Sequence, residues 1–250
     1  MLSTYYNGEV YDIEGDRISV KLEKNRFSSG TLVLVNGWLS TKLVNSVSFL
    51  AITIAILLSF LLQFYYKTGS WTVVLYILGA ISGFYYSKPP LRWVQRGIGE
   101  LLIAYNYGWL PVAAGYYLQA GSIKPLVHWM SLPIACSAFN VILMNEFPDY
   151  PADIQTNKRN LVVRFGKRKA AFVYATVAIT GIAMFFASLS KGLPIVLCLF
   201  YIPIAVSSLA VALMMLKGEF NDRILLERMC LITLLVNLGT CLVYIAGMFI

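Results

Sequence analysis

Apolar residues run through this chain in long blocks, broken by short polar punctuation. Seven blocks reach the roughly 20 residues that a helix needs to cross a bilayer, near 43–65, 70–86, 100–119, 126–145, 169–188, 193–216 and 227–249. The breaks carry Gly, Pro and charge: Lys67-Thr68-Gly69-Ser70, Pro89-Pro90, Gly121-Ser122, Lys191-Gly192 and Lys217-Gly218-Glu219. The connections at 66–69, 120–125 and 189–192 are short, so successive helices are expected to lie antiparallel and adjacent. The pattern predicts an all-α, polytopic membrane helix bundle. The segment ahead of the first block reads as an acid-rich loop with no helix before it.

Composition excludes the alternatives. Hydrophobic residues make up 58% of the chain and charged residues 13%, and the mean hydropathy is +0.70. A soluble domain carries roughly a quarter of its residues as Asp, Glu, Lys and Arg, so this chain cannot wet a globular surface. Disorder and coiled coil need still more charge. The 20 cations divide 17 to 3 between the two ends of the predicted bundle, with only Lys67, Lys124 and Lys191 on the sparse side. The positive-inside rule places the crowded side in the cytoplasm and the carboxyl terminus outside. All twelve acids lie on the crowded side or at its helix ends. Topology does not require that, because Asp and Glu contribute little to orientation. Either the outer loops are too short for polar residues, or a polar site sits at the cytoplasmic face. Cys136, Cys198, Cys230 and Cys241 fall in apolar stretches and read as buried thiols. The single histidine, His128, has no Cys or His at ligand spacing and reads as a satisfied or interfacial residue.

Two acid clusters share one spacing. Glu9-Val10-Tyr11-Asp12-Ile13-Glu14-Gly15-Asp16 and Glu146-Phe147-Pro148-Asp149-Tyr150-Pro151-Ala152-Asp153 both read E-x-x-D-x-x-x-D. On a helix, positions i, i+3 and i+7 share a face. Carboxylates so placed repel one another unless a cation lies among them. Magnesium takes oxygen ligands, usually one or two carboxylates together with substrate phosphates. Two facing clusters would thus suit Mg²⁺ ions on a diphosphate, whereas a solvated loop would account for either cluster alone. Pro148 and Pro151 should kink the second cluster or put it at a helix end. Basic residues follow each cluster: Arg17, Lys21, Lys24 and Arg26, then Lys158, Arg159 and Arg164. They suit diphosphate oxygens and also serve topology. The run Lys167-Arg168-Lys169 is expected to face lipid headgroups. The basic, aromatic segment from Tyr85 to Glu100 is either a short interfacial helix across the mouth of the site or a stiff connector.

At these residues the chain resembles a known family. Asn145 to Asp153 matches the N-D/E-x-x-D-x-x-x-D signature of the UbiA superfamily of intramembrane prenyltransferases. Lys158-Arg159-Asn160-Leu161-Val162-Val163-Arg164-Phe165-Gly166 resembles the run that follows it there. Tyr86-Ser87-Lys88-Pro89-Pro90-Leu91-Arg92, Gly97-Ile98-Gly99-Glu100 and Phe27-Ser28-Ser29-Gly30-Thr31 resemble segments of the 1,4-dihydroxy-2-naphthoate branch. Gly8 stands where the first motif usually has Asn, with Asn7 one place early.

The resemblance implies a nine-helix fold, a single domain over 1–250 with seven of those helices present, and two spans expected upstream of Met1. It implies Mg²⁺-dependent transfer of a polyprenyl group from an allylic diphosphate to an aromatic acceptor, in the setting of menaquinone biosynthesis. By position, Asp12, Asp16, Asn145, Asp149 and Asp153 would be metal or diphosphate ligands, with Glu9 and Glu146 where the family often has Asp. Lys88, Lys158 and Arg159 would contact the diphosphate. Tyr105, Tyr107, Trp109, Tyr116 and Tyr117 would either line the cavity or only pack. Membrane lipid is the expected surrounding, and no nucleic-acid partner is implied. A hydroxybenzoate, tetrapyrrole or glycerol phosphate lipid acceptor, and a shortened inactive relative, remain the alternatives. A seven-helix transporter or receptor fits less well, since the spans are almost free of ionisable residues.

Overall fold

The computed structural model describes residues 1–22, 27, 30–247 and 249. Among these there are helices and no strands. Helices α1 (Leu2–Tyr11) and α2 (Ile13–Lys21) meet at Asp12. Then come α3 (Thr41–Phe60), which runs on through a π-helical turn at Leu61–Tyr65, and α4 (Thr72–Phe84). Next, α5 (Gly99–Ile103) passes through a π-helical stretch, Ala104–Trp109, into α6 (Leu110–Ala120). The second half holds α7 (Pro125–Gln155), the short α8 (Leu161–Phe165), α9 (Lys167–Leu189), α10 (Leu197–Lys217) and α11 (Arg223–Ala246). A helix lies at each of the seven apolar blocks, and five are long and apolar enough to cross a membrane by themselves. The chain is an integral membrane protein.

The expected amino-terminal loop is instead helical. The hydropathy pattern hides α1 because polar bonds hold it in place. Asn7 is fully buried, donates from Nδ2 to the Phe84 carbonyl at 2.9 Å, and accepts from Ser48 Oγ at 2.8 Å. Ser3 and Ser48 join their hydroxyls at 2.9 Å. These bonds seat α1 on α3 and on the end of α4.

α7 is the central post. It packs on α9, α11, α2 and the π-helical stretch 104–109. A Cβ on Gly108 would overlap the Ala135 backbone, so those two helices touch main chain to main chain. The main core joins α7, α9, α10 and α11 through Leu143, Met144, Phe147, Tyr174, Met215 and Met229, all nearly fully buried. A second cluster at the opposite end stacks Phe185 on Tyr201, ring centroids 3.6 Å apart. α7 continues through Pro133, Pro148 and Pro151 and ends at Gln155. The second acid cluster therefore occupies the last turns of an unbroken helix.

His128 is satisfied as expected: its Nδ1 accepts from Trp109 Nε1 at 2.9 Å, and the rings stack. That pair, with Lys191 over the Trp129 ring at 5.2 Å, marks the end of the bundle away from the acid clusters.

Candidate active site

The two acid clusters meet. One cavity of about 400 Å³ is lined by Glu9, Asp12 and Asp16 from the first and by Asn145, Asp149 and Asp153 from the second. The contributions from α7 lie at i, i+4 and i+8, one face of the helix. Glu146, one residue round from Asn145, is turned off that face. It is buried against Glu100, at 6% and 1% exposure respectively, and does not line the cavity. Glu100 Oε1 in turn accepts from the Leu161 N–H at 2.8 Å and so fixes the start of α8.

Lys158 bridges the clusters. Its ammonium lies 3.4 Å from Asp12 Oδ2 and 3.7 Å from Asp153 Oδ1. Burial works against its charge, but Asp12, Asp153 and Asp149 outweigh it and hold its pKa well above the usual lysine value. Asp153 also accepts from Asn160 Nδ2 at 2.7 Å, and Asn160 caps α8 through the Val163 N–H at 2.9 Å. The K-R-x-L run is thereby folded back onto the end of α7.

The first cluster is not on one straight helix, because the chain breaks at Asp12. The segment at 30–31 spans the break. Asp16 Oδ1 accepts from the Gly30 N–H at 3.0 Å, and Glu9 accepts from the Thr31 N–H and Oγ1, both at 3.0 Å. A Cβ at Gly30 would stand 2.7 Å from Glu9 Oε1 and 2.9 Å from Asp16 Oδ2, so any larger residue there would push both carboxylates from their present places. Asp16 is raised above the ordinary carboxylate range, chiefly by burial, with Asp12 and Glu9 adding to it and the Gly30 N–H opposing. The cations expected at Lys24 and Arg26, and the motif residues Ser28 and Ser29, lie outside the described residues.

The other expected cations separate. Lys88 does not line the cavity; its Nζ sits 4.3 Å over the Phe84 ring. Arg159 lines a neighbouring groove with Arg96 and Arg164. The cation that sequence reasoning passed over is Arg92. It lines the cavity, its backbone has φ +40°, and its buried Nε has no hydrogen-bond partner. A non-glycine residue held in that region is uncommon and costs energy. Its only sequence signal was its place in the Tyr86–Arg92 run. The segment 85–98 is a connector with a single 3₁₀ turn at Trp93–Gln95, and it forms a wall of the cavity through Tyr86, Ser87, Arg92 and Gln95.

An apolar cleft of about 360 Å³ adjoins the polar cavity. Thr4, Tyr86, Ile103 and Tyr107 line both. From there the cleft runs along α4 and α6 past Gly79, Leu110 and Gly115 to Leu118. Among the five aromatics considered, Tyr107 lines these spaces. Tyr105 and Trp109 stack, and Tyr117 accepts at its hydroxyl from the Trp71 N–H at 3.0 Å, which is packing.

Among the described residues, no three His, Cys, Asp or Glu side chains are grouped closely enough to enclose a metal ion. The donor set still fits Mg²⁺ shared with phosphates. It consists of hard carboxylate oxygens from two sides of one cavity, and magnesium needs only one or two carboxylates when a diphosphate supplies the rest.

Comparison with known proteins follows the same lines. The model of the UbiA prenyltransferase family matches residues 9–225. A 2-carboxy-1,4-naphthoquinone phytyltransferase of Synechocystis sp. is 29% identical over 109 residues, 43% of this chain and 36% of that one. A 1,4-dihydroxy-2-naphthoate octaprenyltransferase of Escherichia coli is 30% identical over 79 residues, 32% of this chain and 26% of that one. The matched stretches thus span about a third or less of those relatives' length. A solved structure of a digeranylgeranylglyceryl phosphate synthase shares the fold, with a TM-score of 0.66 at 16% identity over 97% of this chain and 80% of that chain.

Proposed function

Since the chain belongs to the UbiA prenyltransferase family, we propose that it transfers a polyprenyl group from an allylic diphosphate to 1,4-dihydroxy-2-naphthoate. The observation that carries this reading is the junction of a carboxylate-lined cavity, bridged by Lys158, with an apolar cleft. A prenyl diphosphate has the same two-part chemistry. The naphthoate acceptor is favoured by the names of the two sequence relatives.

In this reading Asp12, Asp16, Asp149 and Asp153 hold Mg²⁺, which when bound neutralises charge on the diphosphate leaving group. Glu9 is tied by Thr31 and sets the shape of the first cluster. Lys158, Arg92 and Asn145 donate to diphosphate oxygens, and these charge-assisted bonds strengthen as the allylic C–O bond breaks. Tyr86 and Tyr107 stand where cavity and cleft meet, so they flank the allylic carbon and keep water from it. The electron-rich ring of the acceptor then attacks that carbon, and aromaticity returns as the ring loses a proton or, in the naphthoate case, as its carboxylate leaves as carbon dioxide and the bond electrons return to the ring. The site faces the cytoplasm, as the 17 cations on its side of the bundle suggest.

The test supplies membranes carrying this chain with one labelled prenyl diphosphate and, separately, naphthoate, hydroxybenzoate, tetrapyrrole and glycerol phosphate lipid acceptors. Labelled prenyl-naphthoquinol that disappears with chelator is the expected product. Asp149→Asn or Asp153→Asn should reduce it more than about tenfold, 1.4 kcal/mol of barrier, with the protein still folded. Label on another acceptor alone would overturn the naphthoate assignment.

A further inference from the structure

A second basic surface lies where α9 begins and α10 ends. A groove of about 1070 Å³ there is lined by Lys167, Arg168, Lys169 and Lys217, with Phe172 and Leu216 beside them, and among the described residues no carboxylate lines it. The nearest acids in sequence, Glu219 and Asp222, belong to the next connector, where Asp222 caps α11 through the Leu225 N–H at 3.0 Å. α9 starts with neither a side-chain cap nor an acid in its first turn, so its first backbone N–H groups add to the positive potential.

The lining is layered. The cations occupy the first turn of α9 and the end of α10. Phe172, 66% exposed, stands about 7 Å along the helix axis from Lys167. From the groove two exposed apolar stripes run along the bundle, Phe172, Ile179 and Phe186 on α9 and Leu216, Leu213 and Leu209 on α10. Charge at the helix ends above a continuous apolar track is complementary to a headgroup above its acyl chains.

We propose that this groove binds an anionic phospholipid, its phosphodiester among Lys167, Arg168, Lys169 and Lys217 and an acyl chain along Phe172 and Leu216. Basic pockets between helix ends at the cytoplasmic side are suited to such headgroups. A free phosphate would use the cations but not the apolar stripes. The site is separate from the carboxylate cavity and shares no lining residue with it.

The protein is reconstituted in phosphatidylcholine bilayers containing a trace of photoactivatable phosphatidylglycerol, irradiated and mapped by peptide. Label should concentrate in peptides covering 165–173 and 215–221, and unlabelled phosphatidylglycerol should displace it where inorganic phosphate does not. The variant K167Q/R168Q/K169Q/K217Q should lose about tenfold or more of that label. Because losing four cations could disturb insertion, K167R/K169R/K217R serves as a charge-preserving companion that should keep it. Label spread evenly over the lipid-facing helices, equal labelling by a phosphatidylcholine probe, or displacement by inorganic phosphate would each overturn the proposal.

Discussion

Replacing Lys158 by Met should destabilise the protein, because it leaves facing carboxylates without their common counter-charge. At an effective dielectric of 20 the attraction to each of Asp12 and Asp153, at 3.4 and 3.7 Å, is between about 4 and 5 kcal/mol. Desolvation of the ammonium offsets most of that. Removing one partner from a buried ionic cluster costs about 3–5 kcal/mol, mainly through the charges left behind. The Lys158 side chain keeps 21% exposure, so the lower end, about 3 kcal/mol, applies. Reversible unfolding in mixed detergent micelles near neutral pH measures it. Asp12→Asn in the Lys158→Met background should then cost less than Asp12→Asn alone, giving a coupling energy of about 1–2 kcal/mol in the double-mutant cycle. The ammonium's pKa is raised in the folded state, so its contribution is fully present below the unfolded lysine value and is lost as pH rises through the folded one. A loss below about 0.5 kcal/mol, the range of an exposed pair, or strict additivity with Asp12→Asn, would refute the bridging role.

Other outcomes follow from the same geometry. Arg92→Gln should raise KM for the prenyl diphosphate about 10- to 100-fold, the worth of one charge-assisted bond, while Lys88→Gln should change it less than about threefold; steady-state kinetics with both variants compares them. Asp16 has a raised folded pKa, so its protonated form favours the fold and stability from this group declines as pH rises through that value. Asp16→Asn should therefore be more stable than the parent at neutral pH, with the gap closing toward pH 4, and inactive; unfolding curves across pH check this. A Cβ at Gly115 meets nothing within 4 Å, so Gly115→Phe should fold and restrict the cleft to shorter prenyl chains, read by competing diphosphates of different length.

Much of this arrangement was legible in the sequence because its signals are periodic. The apolar blocks gave the long helices, and the repeated acid spacing gave Asp12, Asp16, Asp149 and Asp153 one cavity. What was not legible depended on a choice of face or on the path of a loop. Glu146, Asp149 and Asp153 share a helical face by spacing, and so do Asn145, Asp149 and Asp153; packing of Glu146 on Glu100 selects the second. Lys88 and Arg92 are four residues apart in a connector without periodicity, so nothing local says which one enters the cavity. α1 stayed hidden because buried Ser and Asn bonds to α3 and α4 hold it. α7 passes through Pro148 and Pro151 to Gln155, where single-residue propensity argues for a break.

The unbroken α7 also limits how this protein can change length. Its 31 residues extend about 46 Å, and about 37 Å of that separates His128 under Trp109 from Asp153 beside Lys158. Between those points α7 touches the π-helical stretch at Ala135 and meets α9 where Gly181 approaches Cys136. One residue inserted after Cys136 would turn everything beyond it by about 100° and slide it by 1.5 Å. Asp149 and Asp153 would then face away from the cavity while the upper contacts stayed in register. Insertions and deletions among related sequences should therefore be absent from 136–153 and collect in connectors such as 121–124 and 190–196, where the turn absorbs them. The helix acts as a fixed spacer between the packing that holds the bundle together and the carboxylates that line the cavity.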